Sequence, residues 1–229
     1  MAKKQQTGNA RTSLESVNDS LSSFEQKLEN NQKYIYWTLG IVVAIVAVVL
    51  VYVYAIRKPG IEDAKNLMGK ADIVCLMQNN PDSAAALYKR AFDNSSYLPA
   101  NRGAQIYAVE MYKKGKYDEA IKYLEKSTAH GKIAGPAVKS LLADCYVNKK
   151  QYDKALSIYD EAAKMAGDNE SFTPLFMLKK ATVLHALKKY RDEIVLLKDI
   201  KSKYPQYYLS NNMNIDKYIE RAKALNGDE

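Results

Sequence analysis

Twenty-three consecutive residues, Tyr34 to Ile56, contain no charged side chain. As a helix rising about 1.5 Å per residue, such a run would be roughly 34 Å long. That is enough to cross a hydrocarbon layer about 30 Å thick with some tilt. Lys33 closes the run on one side, and Arg57 and Lys58 on the other. Tyr34, Tyr36 and Trp37 stand near one end, Tyr52 and Tyr54 near the other, where amphipathic rings favour the two membrane–water interfaces. A buried core helix is the alternative, but soluble helices of this length carry a polar face. A cleaved signal peptide has an apolar stretch of about 7–15 residues near the chain start. Here the run is longer, starts after residue 33, and is followed by no small-residue cleavage pattern. The expectation is an uncleaved single-span anchor with everything else on one side of a membrane or the other.

Four segments follow: a polar tail over 1–33, the transmembrane helix over 34–56, a linker over 57–60 and a helical domain over 61–229. In the tail, residues 1–12 are polar and aperiodic, and disorder is expected. Leu14, Val17, Leu21, Phe24 and Leu28 then recur at helical spacing, a stripe suited to a partner helix or the membrane surface. Two heptads are too few for a coiled coil. Pro59 and Gly60 mark the expected break. The net charge is +8, but the basic residues are scattered, often as lysine pairs at helix ends. A solvated surface is therefore expected, with no nucleic-acid partner.

Beyond residue 60 the pattern is entirely helical. Residues 61–78 and 83–92 read as two helices separated by a turn at Asn79–Asp82. Residues 100–114 carry Ala104, Tyr107, Ala108 and Met111 on one face, followed by a turn at Gly115-Lys116 and then Tyr117, Ala120 and Leu124. The arrangement returns with Leu141, Leu142, Ala143 and Tyr146 before a turn at Lys149–Gln151, and Tyr152, Ala155, Tyr159 and Ala162 after it. A third copy has Leu178, Ala181, Leu184 and Leu187, a turn at Lys188-Lys189, then Tyr190, Ile194 and Leu197. Tyr117 to Tyr152 is 35 residues and Tyr152 to Tyr190 is 38. Counting back 35 from Ala120 reaches Ala85, so 61–92 reads as a degenerate first copy. Two helices per period near 34 residues is the signature of tetratricopeptide repeats. Small residues let the paired helices approach closely, and stacking buries what one pair cannot. A break is expected at 204–211, with Pro205 ending the last repeat helix. An amphipathic helix with Ile215, Tyr218, Ile219, Ala222 and Leu225 would then cap the stack, Lys217, Glu220, Arg221 and Lys223 lying on its other side. The fold expected is all-α: one N-terminal transmembrane helix, then a repeat α-solenoid with a C-terminal capping helix.

Little catalytic chemistry is visible. His130 and His185 have no ligand partner at a metal-site spacing, and no phosphate loop, nucleophile elbow or zinc-protease motif is present. Cys75 and Cys145 sit 70 residues apart in apolar helix patterns, as buried thiols would. A non-enzyme without metal or cofactor is expected. Binding in such a stack belongs to the concave side, lined by the first helix of each pair. Arg102, Gln105, Val109 and Tyr112 are the candidates in one repeat, Ser140, Asp144 and Asn148 in the next, and Leu178, Thr182 and His185 in the last.

With these residues in hand, the chain resembles a family of bacterial inner-membrane proteins. A short polar tail, the segment Phe24–Trp37 leading into one span, and then tetratricopeptide repeats make it look like the ancillary Sec-translocon subunits and their Bacteroidetes-type relatives. The ending Asp216–Ala222 is similar to the terminal helix of those relatives. The resemblance implies no catalytic residues, a cytoplasmic N-terminus and a repeat domain in the periplasm. Implied partners are Sec translocon subunits, a membrane-anchored periplasmic chaperone of the prolyl-isomerase type, and emerging secreted chains. Local charge points the other way: Lys27 and Lys33 precede the span, whereas Arg57, Lys58, Lys65 and Lys70 follow it. That rule governs short loops, and domains of this length largely escape it. The second reading is a cytoplasm-facing membrane adaptor that recruits regulatory or division proteins.

Overall fold

The computed structural model describes residues 21, 22, 24, 25, 29–95, 98–128 and 131–227. The expectations for residues 1–12, for Leu14, Val17 and Leu28 and for His130 lie outside the described residues. Leu21 and Phe24 are helical and exposed. The chain divides into two compact units, Met1–Lys58 and Pro59–Glu229, and each is taken by itself.

In the first unit, α1 (Gln32–Val51) is a helix with no buried residue. Its leucines, isoleucines and valines are more than one third exposed, so the reading as a buried core helix fails. Thr38 returns its hydroxyl to the Ile35 carbonyl at 2.9 Å, which satisfies it within the helix. α1 runs into a π-helical turn, Tyr52–Arg57. At its end Lys58 Nζ sits 4.0 Å from the Tyr54 ring centroid, a charge resting on an aromatic face at the end of the apolar run.

Residues 57–60, expected as a linker, are helical instead: α2 (Lys58–Met77) begins where the π turn stops. Pro59 cannot donate to the carbonyl four residues back, and its ring would crowd it. The π turn opens the ladder at that place, since the Lys58 N–H reaches back five residues to the Val53 carbonyl.

Helix pairs make up the second unit. They are α2 with α3 (Pro81–Asn94), α4 (Leu98–Lys113) with α5 (Tyr117–Lys126), α6 (Ala134–Asn148) with α7 (Tyr152–Ala166), and α8 (Phe172–Ala186) with α9 (Tyr190–Lys203). α3 starts at Pro81, two residues earlier than the pattern indicated, because Asn80 caps it by accepting from the Ser83 N–H at 3.0 Å. The small residues sit where the repeat demands. Ala85, Ala120 and Ala155 are at most 2% exposed, and Ala108, Ala143 and Ala181 at most 3%. The turns repeat as well: Gly115, Lys150 and Lys188, each two residues before the tyrosine that opens the second helix, all have positive φ, at 72°, 59° and 57°.

Neighbouring pairs are registered by a recurring contact. Lys114 reaches Asp82, Lys149 reaches Asp118, and Lys189 reaches Asp153. In each case a turn lysine meets the acidic residue in the first turn of the preceding second helix. The aspartates are 71–94% exposed on the side chain, so these pairs mark register more than they stabilise. Phenol–carboxylate bonds are a second recurring device: Tyr88 donates to Asp72 at 2.6 Å and Tyr146 to Glu125 at 2.7 Å, and Tyr107 and Tyr159 donate to Glu119 and Asp144.

The break expected at 204–211 is interrupted by a short helix, α10 (Pro205–Ser210), with proline at its first turn; Tyr204 and residues 211–214 are non-helical. α11 (Ile215–Asn226) closes the stack, N-capped by Asn214 and ended by Gly227 at φ 81°. Ile215, Ile219 and Ala222 are buried against Ile194, Leu197 and Ile200, while Tyr218 and Leu225 stay exposed.

Candidate functional site

The first helices α4, α6 and α8 adjoin one another, and side chains tie them in sequence. Asn148 on α6 donates its amide to the Tyr112 hydroxyl on α4 at 3.4 Å and to the Asp144 carbonyl at 2.8 Å. Lys179 on α8 donates to Asp144 Oδ2 at 2.5 Å and to Ser140 Oγ at 3.1 Å. Asp144 also accepts the Tyr159 hydroxyl from α7. Four of the expected face residues, Tyr112, Ser140, Asp144 and Asn148, thus belong to one polar network. Ser140 is 3% exposed and meets the surface only through Lys179. Burial pushes the Tyr159 phenol up, helped by its bond to Asp144, so it stays a neutral donor. Burial likewise pushes the Tyr112 phenol up.

The other candidates fall on either side of this network. On α4, Val109 is 36% exposed. Arg102 lies 3.9 Å from Asp72, and Gln105 donates to the Thr128 carbonyl at 3.3 Å, bracing the start of the next connection. Val109, Asp144 and Thr182 are all eight residues before the tyrosine that opens the second helix, and Gln105, Ser140 and Leu178 are all twelve before it. Tyr112 and His185 stand five before it, and their rings meet those tyrosines edge-on, Tyr117 at 5.6 Å and Tyr190 at 5.5 Å.

At the C-terminal end, Leu178, Thr182 and His185 line a notch of about 270 Å³, completed by Ala181, Glu193, Leu197, Met213, Tyr218 and Arg221. Glu193 is 2% exposed. It stands three residues after Tyr190, the position filled by Ala120 and Ala155 in the preceding repeats. His185 Nδ1 lies 2.8 Å from Glu193 Oε2, and because the carboxylate can only accept, the ring donates there. Arg221 reaches Glu193 Oε1 at 3.5 Å. Arg221 was expected on the solvent side of the cap; it turns back toward the stack because Glu193 is the one buried carboxylate among the described residues. Lys179 and Glu193 join the candidate site without having been marked by helix periodicity. Only Glu193 had a signal, its departure from the small residue the repeat requires.

Two larger hollows, about 420 and 830 Å³, open between α5, α6 and α7 and between α7, α8 and α9. Their linings correspond at a 38-residue offset, Ile158 with Leu196 and Glu161 with Asp199, so they arise from the repeat geometry. Among the described residues no group of His, Cys, Asp or Glu could hold a metal ion. Both cysteines are free thiols; burial pushes Cys145 up to about 12, which leaves it inert as a nucleophile.

Tetratricopeptide-repeat family models match residues 76–126 and 111–173. No curated protein matches the chain. Among solved structures, one described as a Podosopora anserina putative kinesin light chain with nearly identical TPR-like repeats is similar, with a TM-score of 0.54 and 15% identity over 72% of this chain and 87% of that one. A variant of the same repeats has a TM-score of 0.49 and 13% identity over 70% and 93%. For the first of these, at 15% identity, the likeness is one of fold. Geometry, family models and fold together make the second unit an all-α stack of tetratricopeptide-like helical repeats.

Proposed function

We propose that this chain is a membrane-anchored scaffold that holds other polypeptides on the face formed by α4, α6 and α8. The observation that carries the reading is that face itself: a continuous strip across three repeats, with exposed apolar positions at Val109 and in the terminal notch flanking a fixed polar network. It offers amide, carboxylate and ammonium groups at set positions and no arrangement for covalent chemistry. Tetratricopeptide-like stacks offer extended surfaces for binding other proteins, which fits such a strip. The anchor reading rests on α1, whose exposed aliphatic side chains need an apolar solvent.

The finer reading is an accessory subunit of the Sec translocon in a bacterial inner membrane, with the N-terminus cytoplasmic and the repeats periplasmic. Its clients are channel subunits, a membrane-anchored chaperone or emerging secreted chains. It rests on the resemblance carried by Phe24–Trp37 and Asp216–Ala222. The competing reading, a cytoplasm-facing adaptor, is favoured by Arg57, Lys58, Lys65 and Lys70 following the span. Crosslinking in intact membranes separates the two. Translocon components and secreted chains are expected in the crosslinked fraction; recovery of cytosolic proteins alone would favour the adaptor. A reporter fused after Glu229, active only in the periplasm, is the matching topology result.

A further inference from the structure

The repeat pattern asks for a small residue three positions after the tyrosine that opens each second helix. α5 and α7 supply Ala120 and Ala155, each 0% exposed. α9 supplies Glu193, a carboxylate at the closest approach of two helices, 2% exposed. Burying an ionised carboxylate costs free energy unless a cation or several donors compensate it. An alanine would do the packing at no such cost, so packing does not explain the carboxylate.

Its partners are unequal. His185 Nδ1 holds Oε2 at 2.8 Å. Arg221 holds Oε1 only at 3.5 Å, lies at the same distance from His185 Nδ1, and has a side chain 49% exposed. In the same pose its guanidinium sits 5.3 Å from the centroid of the Tyr218 ring, so it is shared between the ring face and the carboxylate. The cation that compensates the buried charge is therefore loosely held, on the terminal helix. Between it and the stack lies the notch of about 270 Å³, walled by Leu178, Ala181, Leu197 and Met213. Apolar walls with one carboxylate at the base fit a side chain with an aliphatic stem and a cationic head. With Arg221 in place the carboxylate is already neutralised, so a second cation would bind by exchange.

We propose that the notch between α8, α9 and α11 receives a lysine or arginine side chain from a bound polypeptide segment, in exchange for Arg221, which occupies that place in the unbound protein. The buried carboxylate of Glu193 then selects clients that carry a basic residue beside apolar ones, and release of Arg221 loosens the cap where it meets the last repeat. This rests on the reading of the first-helix face as a polypeptide-binding surface.

The test uses the full chain in detergent micelles and a fluorescent, capped serine/leucine peptide with one central lysine. Versions with norleucine or glutamate in its place serve as controls, and binding is read by anisotropy. The lysine peptide is expected to bind about tenfold more tightly than either control, the scale on which one buried charge pair discriminates. Arg221→Gln is expected to raise affinity for the lysine peptide by about fivefold, since the competing internal cation is gone. Glu193→Gln is expected to abolish the preference for lysine. Should that variant unfold, Arg221→Gln still decides, because the side chain it alters is half exposed. Equal binding of the lysine and norleucine peptides, binding of neither, or an Arg221→Gln affinity that is unchanged or lower would overturn the proposal. If polypeptides still crosslink to Val109 in membranes, only the notch proposal falls. If they do not, the wider reading of the face falls with it.

Discussion

At Gly103 a single hydrogen atom separates α4 from the pair before it. A methyl group there would lie 2.8 Å from the Tyr88 carbonyl oxygen and 2.9 Å from Met68 Sδ. Methionine can yield, but a backbone oxygen inside a helix cannot. Gly103→Ala should therefore destabilise the second unit by about 1–3 kcal/mol, seen as a lower unfolding midpoint by circular dichroism of the full chain in detergent. The turns predict the opposite sign. Lys150 and Lys188 hold the left-handed backbone that Gly115 holds without steric cost. Lys150→Gly or Lys188→Gly should stabilise by up to about 1 kcal/mol in the same measurement. Both positions were readable as turns in the sequence, from lysine pairs in place of Gly115-Lys116. Their backbone conformation follows only from aligning the repeats on Tyr117, Tyr152 and Tyr190.

At the scale of helices, the repeats were legible because alanines at fixed intervals have one physical use, close approach of two helices. Segments without that periodicity were misjudged. Residues 57–60 stay helical because a π turn absorbs the missing donor of Pro59, a local change of hydrogen-bond register that proline statistics do not encode. α10 follows Pro205 for the converse reason: proline ends one helix and is a good first residue for the next. In the candidate site, the positions on α4, α6 and α8 could be placed by register, but their partners could not. Lys179 belongs to the network through Asp144, 35 residues away, and helix periodicity holds no information about a neighbour one repeat back. The phenol–carboxylate bonds between helices give the stack a pH response. Tyr146 is pushed up to about 12, first by donating to Glu125 and then by burial, and Tyr88, Tyr107 and Tyr159 are raised chiefly by burial. A phenol raised in the folded state adds stability that is complete below its ordinary value of about 10 and is lost as pH climbs toward the folded value. Stability should thus fall between about pH 10 and 12. Tyr146→Phe should be less stable at neutral pH and lose less over that interval, by thermal unfolding across the pH series.

On the scale of the whole chain, an exposed apolar helix and a stack of helix pairs have separate physical uses. The first exposes its aliphatic side chains, and the second repeats one packing unit of paired helices. The small residues and the phenol–carboxylate bonds build the stack; the polar strip from Tyr112 to Lys179 and the notch beside Glu193 are the surfaces proposed for a partner. The most direct measurement places a photo-crosslinking amino acid in membrane-embedded full-length protein at Val109 or Thr182, exposed on first helices, and at Met165 or Val195, exposed on second helices. Other polypeptides should be captured from Val109 and Thr182 and far less from Met165 and Val195. Equal capture from all four positions, or capture only from Met165 and Val195, would contradict a scaffold that works through its first-helix face.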